Sequence, residues 1–423
     1  MTMKKALVLA LCGAMGVSLL TGCGTKAENG NESENGNEAK EAEVESVTAS
    51  TYVAPGGRTL NKLIYSLSTT EGVDLSPEDF KIKFTIAPVE YLGETESKEQ
   101  DAEISDVKIQ NNEVTVEFPE VSFSTIEKAE IDCTDDKFDC TDADYVVATK
   151  TADEFEKNEF TAKDGTELTY YLYMPENEKN VPLMVWEHGG GEVLESSYEG
   201  ANLHASRGAV AWVEDGFDTA VLSVQYPKNY SFGISEIPEE LDQMNKFGTA
   251  KYELIQQLIE EGKIDASRVY ISGASSGGGG AIRFIMQYPD LFAGALVMSA
   301  KDTVIPLSTK YDLAYKFGNN DDLRITDEEY QSSYNEMKEY MKDYDITNVP
   351  IWFVQAEDDQ ICTSYTSKML YDVLKEMGAE NNKITIYSDE EMENAGQHGS
   401  YHGSWAVALE DNEMLSWVYD QVK

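Results

Sequence analysis

Two patterns of apolar spacing divide the chain. From about Thr51 to Val147, short runs alternate apolar and polar residues at period two, as in Phe80-Lys81-Ile82-Lys83-Phe84-Thr85-Ile86 and Val114-Thr115-Val116-Glu117-Phe118. Side chains of a strand point alternately to its two faces, so such runs predict half-buried strands. Turn residues separate them, among them Pro77, Gly93 and Asn111-Asn112. Short strands at this spacing predict a small all-β sandwich over 51–150.

Past about Thr151 the apolar runs become continuous: "LTYYLYMP" (168–175), "VPLMVWEHGG" (181–190), "TAVLSV" (219–224), "RVYISG" (268–273), "AGALVMS" (293–299) and "VPIWFVQA" (349–356). Runs of this kind suit strands buried on both faces, as in a parallel sheet. Helical stretches lie between them, for instance Tyr252–Glu261 and Lys368–Met377, and Lys383–Tyr387 reads as the last strand. Alternating strand and helix predict an α/β domain over 151–423 with right-handed crossovers.

One junction breaks the helical propensity rules. In "ISGASSGGGGAIRFIM" (271–286), Gly277 to Gly280 stand where a buried helix should begin. Four glycines there cost the helix about 3 kcal/mol relative to alanine. A flexible linker would explain them, but both flanks are core-like and too close together for one. The segment Gly273-Ala274-Ser275-Ser276-Gly277 fits G-x-S-x-G between a strand and a helix, the setting of a nucleophile elbow. A sharp turn there pushes the Ser275 hydroxyl out of the sheet and crowds the positions two residues to either side, which Gly273 and Gly277 leave free of side chains.

A nucleophilic serine needs a base, and the chain has four histidines. His188 heads His188-Gly189-Gly190-Gly191, which follows a strand as an oxyanion loop does; its N–H groups, with that of Ser276, would face the developing oxyanion. An ordinary glycine turn is the plain alternative. His204 falls in a helical segment and suits a surface role. His398 and His402 both follow the last strand, in "AGQHGSYHGSW". His402 is favoured because Trp405 then begins a helix, Trp405–Val422, that clamps its loop; His398 stays as the alternative. The acid that orients the imidazole is expected after the next-to-last strand, where Glu357-Asp358-Asp359 follow "IWFVQA". Asp358 is the first choice and Asp359 the second.

From about Phe160 onward the chain resembles the α/β-hydrolases of the prolyl-oligopeptidase and polyhydroxybutyrate-depolymerase-like esterase group. The resemblance rests on "FTAKDGTELTYYLYMPEN", "HGGGE", "IDASRVYISGASSGGGGAIRFIMQYPDLFAGAL" and "HGSWAVALEDNEMLSWVYDQ". It implies an α/β-hydrolase fold with Ser275 as nucleophile, Asp358 as acid and His402 as base. Some members carry an immunoglobulin-like domain in front, which matches the β-rich segment. Two departures stand out: Glu187 precedes His188 where an apolar residue is usual, and Ser276 replaces the commoner methionine. A carboxylate at 187 would either repel anionic substrates or turn to solvent.

Between Asp302 and Asn348 there is more chain than the sheet needs. Thr326-Asp327-Glu328-Glu329 reads as a capping box, followed by Tyr330, Tyr334, Met337, Met341 and Tyr344 at helical spacing. This stripe is either a lid over the pocket or plain packing.

Composition narrows the partners. Thirty-three basic against 78 acidic residues give a formal charge of −45, which argues against a nucleic-acid partner because no basic patch exists. No His, Cys or carboxylate group has metal-ligand spacing, so neither a metal nor an organic cofactor is implied. At the start, Lys4-Lys5 and the apolar run Ala6 to Leu20 form an export signal over 1–22, too short to span a bilayer. Leu20-Thr21-Gly22-Cys23 resembles a bacterial lipobox, which implies lipid on Cys23, with 23–50 as a disordered acidic tether. Beyond Cys12 and Cys23, three cysteines remain; Cys133 and Cys140 could pair in an exported chain.

The expectation is an exported, lipid-anchored serine hydrolase at the outer face of a bacterial membrane, acting on small-molecule or glycan-linked esters. A serine peptidase of the prolyl-oligopeptidase type and a non-catalytic glycan-binding surface protein are the rivals.

Overall fold

A computed structural model describes residues 41–88, 95–177, 179–193, 199–227, 230, 238–301 and 327–423. The expected export signal, Cys23, the first part of the expected tether and Thr326 of the expected capping box lie outside the described residues.

Among the described residues nine strands come first: β1 (Val44–Ala54), β2 (Gly57–Leu67), β3 (Phe80–Ile86), β4 (Lys98–Ala102), β5 (Asp106–Gln110), β6 (Glu113–Ser122), β7 (Ile126–Cys133), β8 (Cys140–Thr141) and β9 (Val146–Thr149). They form two sheets, β5-β6-β2-β1-β9 and β4-β3-β7-β8. Tyr65, Leu63, Val114 and Val116 from one sheet and Phe80, Ile82, Phe84 and Ile131 from the other share a single core, so the segment is a sandwich. The last part of the stretch expected to be tether, up to Ser50, is ordered strand, because β1 begins at Val44 and pairs with both β2 and β9. The buried alternation Val47, Ala49, Thr51 and Val53 starts inside polar composition, where Glu43, Glu45 and Ser46 concealed it. Cys133 and Cys140 are free thiols. The aspartates around them act mostly as local caps: Asp139 accepts the Cys133 N–H (2.7 Å) and Asp142 accepts the Ala129 N–H (3.0 Å).

The third sheet has eight strands among the described residues: β10 (Glu156–Thr161), β11 (Glu167–Tyr173), β12 (Val181–Glu187), β13 (Ala220–Gln225), β14 (Ile264–Ala274), β15 (Gly294–Met298), β16 (Ile351–Ala356) and β17 (Lys383–Tyr387). Their order is β10-β11-β13-β12-β14-β15-β16-β17, antiparallel across the first two pairings and parallel thereafter. Nine helices stand among these strands in the described residues: α1 (Ala201–His204), α2 (Ala211–Glu214), α3 (Pro238–Glu260), α4 (Ser276–Gln287), α5 (Asp327–Met341), α6 (Ser364–Glu376), α7 (Asp389–Asn394), α8 (Ser404–Ala408) and α9 (Asn412–Tyr419). The continuous apolar runs are explained by what covers each face. On β12, Leu183 and Val185 join the core under α3, α4 and α6, whereas Met184 and Trp186 join the core under α1, α2, α8 and α9.

Two readings need correction, and one open alternative is decided. The C-terminal helix is two helices, because Asp411 accepts the N–H of Glu413 (2.8 Å) and caps a fresh start. The stripe on α5 is packing: Met337 and Met341 are buried, Tyr330 meets the Tyr365 ring of α6, and Tyr334 Oη donates to Glu376 on the same helix (2.6 Å). His204 is half-buried rather than on the surface, and burial together with Arg58 pulls its pKa down to about 4. It sits where the β1–β2 hairpin meets the hydrolase, a junction that also places Val53 in the second core and joins Thr151 Oγ1 to Glu214 (3.0 Å).

Gly208 offers a stability test. A Cβ there would lie 2.0 Å from the Trp186 indole, which is 1 % exposed and has no room to retreat. Gly208→Ala is expected to cost about 3 kcal/mol in urea unfolding, while Gly56→Ala, with open space around it, should change little.

Candidate active site

The site is assembled where β14 ends. Ser275 has φ +56° and ψ −124°, a conformation that costs an L-residue about 1–3 kcal/mol and must be imposed by its surroundings. Its N–H donates to Met298 O of β15 (3.0 Å), and its carbonyl accepts the N–H of Lys301 (2.9 Å). The flanking glycines are explained by backbone, not by flexibility. A Cβ on Gly277 would lie 2.0 Å from Glu187 O and 2.5 Å from His188 O; one on Gly273 would lie 2.3 Å from Gly277 O; one on Gly278 would lie 2.9 Å from Met298 O. The glycine-rich first turn therefore lets α4 press against the ends of β12 and β15.

The structure brings Ser275 and His402 together: Nε2 is 2.8 Å from Ser275 Oγ. The carboxylate facing the other ring nitrogen is that of Asp359, not Asp358, with Nδ1 at 2.8 Å from Oδ2 and 3.1 Å from Oδ1. Asp359 is 2 % exposed. It also accepts the N–H groups of Ile361 and Cys362 (both 2.9 Å) and the Gln355 side-chain amide (2.9 Å), so its charge is fully solvated by the protein. The Asp358 carboxyl meets Asp389 instead, in a crevice lined also by Glu357, Asp359 and Ser388. There, burial first and the Asp358 carboxylate second push Asp389 upward in pKa. Strand periodicity stops at Ala356, so nothing in the apolar pattern separates two adjacent aspartates in the turn that follows.

His402 is held from several sides. Ser299 Oγ hydrogen-bonds to His402 O (2.6 Å) and to Ser404 Oγ (2.6 Å), the Trp405 ring meets the imidazole edge-on at 5.1 Å, and Gln360 N–H donates to Ser400 O (2.9 Å). His398 is exposed and away from these contacts. Ser299 and Gln355 carried no sequence signal beyond their place at strand ends.

The glycine loop lies across from the serine. Gly189 packs against Ala274 O and Ser275 Cβ, both 3.8 Å from its ideal Cβ position, and Gly190 faces Ser276 Oγ. His188 is fully buried. Its Nδ1 donates to Gly189 O (2.8 Å) and its Nε2 accepts the Tyr226 N–H (3.1 Å), a pattern only a neutral ring satisfies. Burial pulls its pKa down to about 4, which agrees. Glu187 neither turns to solvent nor faces substrate: it is 1 % exposed, ion-paired with Lys251 and bonded to Tyr226 Oη (2.6 Å). Lys251 lies over the Phe284 ring, 4.2 Å from its centroid, and burial lowers its pKa. The departure at Glu187 thus has its partner 64 residues away, out of reach of local pattern.

Residues 251–423 match the sequence profile of the prolyl oligopeptidase family. No curated protein matches the chain. Among solved structures, a thermostable esterase shares 22% identity with a TM-score of 0.66, covering 90% of this chain and 100% of its own. An esterase from Pyrococcus furiosus, Pf2001, shares 12% identity at TM-score 0.41, over 63% of this chain and 93% of its own. An acylaminoacyl peptidase shares 17% at TM-score 0.40, over 91% and 57%. Sheet order and profile agree on an α/β-hydrolase fold, and the chain is a serine hydrolase.

The two aspartates make the arrangement testable. Asp359→Asn should lower kcat roughly 1,000- to 10,000-fold, while Asp358→Asn should stay within about tenfold, measured by steady-state hydrolysis of a chromogenic ester.

Proposed function

We propose that this hydrolase is a carboxylesterase that works outside the cytoplasm, held to a membrane by lipid on Cys23. The observation that carries the catalytic part is the unbroken chain Ser275 Oγ–His402–Asp359 opposite the Gly189–Gly191 loop. Ser275 Oγ attacks the ester carbonyl while His402 Nε2 takes its proton, and Asp359 stabilises the imidazolium that forms. Backbone N–H groups of the glycine loop and of Ser276 receive the oxyanion. His402 then passes the proton to the departing alcohol, leaving an acyl group on Ser275. Water, deprotonated by the same imidazole, releases the acid and restores the hydroxyl.

Ester rather than peptide is favoured because the described residues ahead of the hydrolase form a sandwich, which we read as immunoglobulin-like, and not a propeller that would sieve peptides. The family profile over 251–423 supports a second reading, a serine peptidase of the prolyl-oligopeptidase type. Turnover of p-nitrophenyl acetate far above that of a proline-linked p-nitroanilide supports the esterase; the reverse order supports the peptidase. A fluorophosphonate probe should label the wild type and fail on Ser275→Ala; label retained would put the nucleophile elsewhere. Anchoring is read separately: Cys23→Ala should abolish incorporation of a labelled fatty acid and release the protein from the membrane fraction.

A further inference from the structure

Glu192 is a carboxyl without a task at the edge of the glycine loop. It closes the short turn Gly190–Glu192, with its backbone held at both ends: its N–H donates to Gly189 O (3.3 Å) and its carbonyl accepts from Gln225 Nε2 (2.6 Å). The side chain folds back toward the Gly189 N–H, as the acidic member of a capping box does. It is 15 % exposed, and Oε2 is buried with no hydrogen-bond partner among the described residues. An ideal Cβ on Gly189 would be 3.3 Å from Glu192 Oε1 and 3.8 Å from Ser275 Cβ. The carboxyl and the nucleophile therefore bracket the same glycine.

Among the described residues, the surrounding groups leave any charge here uncompensated. His188 Nδ1 is 3.8 Å from Oε2, but that nitrogen gives its proton to Gly189 O and the ring is neutral. Behind His188, Lys251 is committed to Glu187, which also binds Tyr226 Oη. On the β13 side the neighbour is the neutral amide of Gln225. On the α4 side are the hydroxyls of Ser275 and Ser276, with His402 beyond and already paired with Asp359. Burial with no ion pair pushes the Glu192 carboxyl up to about 8.

We propose that Glu192 is a positioning residue that serves catalysis only as the neutral acid, bracing the Gly189 loop when protonated and opposing the substrate oxyanion when ionised. The inference rests on the serine-esterase reading, since it needs an oxyanion beside Gly189. The sign follows directly. As pH rises through the carboxyl's elevated pKa, a negative charge appears next to the place where catalysis must build another. At an interior dielectric, two like charges a few ångströms apart disfavour the second by on the order of tenfold or more.

The test uses the full chain with an aryl trifluoromethyl ketone, which adds to a serine hydroxyl as a hemiketal oxyanion, and with p-nitrophenyl acetate. In the wild type, ketone affinity and kcat should both fall about tenfold between pH 7 and pH 9. In Glu192→Gln, which keeps the shape without the charge, the fall should shrink to within about twofold. Glu192→Ser provides the same neutral readout should the glutamine variant fail to fold, and melting curves at both pH values establish that each protein is folded. A flat wild-type profile, or an equal fall in wild type and folded neutral variants, overturns the role of Glu192. No ketone adduct at any pH overturns the esterase reading instead, so the two failures are distinct.

Discussion

The contact on which the site depends is the approach of Gly277 to the backbone carbonyls of Glu187 and His188. A single added carbon at that position would stand 2.0 Å from Glu187 O, inside any permitted contact distance. Because the carbon is missing, the first turn of α4 reaches the end of β12, and His188 and Gly277, 89 positions apart in the sequence, share one small volume. That volume contains the strained Ser275, the start of α4 and the glycine loop. Helix propensity of about 1 kcal/mol per glycine is small against the backbone clash that any other residue would create.

A closed polar layer then fixes the loop from beneath. Glu187 pairs with Lys251 and Tyr226, and the neutral His188 ring ties the turn at Gly189 to the end of β13 through the Tyr226 N–H. A buried ion pair seldom adds much to stability, because desolvating both charges offsets their attraction. Its value here lies in direction. Glu187 stands at the last position of β12, so a pair to α3 sets where the chain leaves the strand. The proposed base and acid arrive from the far edge of the sheet: His402 and Asp359 sit on loops after β17 and β16, while Ser299 just after β15 ties the His402 loop down.

What the chain discloses in advance follows from range. Strand cores announced themselves because both faces are covered, and Lys383–Tyr387 and Phe80–Ile86 have the bounds their composition suggested. The serine turn was legible because sterics demand glycine at fixed offsets. Where two neighbouring residues have the same chemistry, local pattern has no purchase. Asp358 and Asp359 differ only in which one the turn after Ala356 directs inward, and that depends on Gln355 and on the N–H groups of Ile361 and Cys362. Small or polar residues hid the start of β1 in the same way, and Glu187 looked anomalous until Lys251 was seen beside it.

Glu187 and Glu192 make the final contrast. They share a side chain, lie five residues apart on either side of the glycine loop, and are both withdrawn from water. One meets an ammonium group and a phenol, and that pairing shapes the loop. The other meets a backbone N–H and a neutral ring, so burial favours the uncharged acid. A loop meant to receive a transient negative charge tolerates a permanent one only when it is cancelled. At Glu187 the cancelling group is Lys251, whereas at Glu192 the condition holds only while the proton stays, so one glutamate is tied to a partner and the other to its proton.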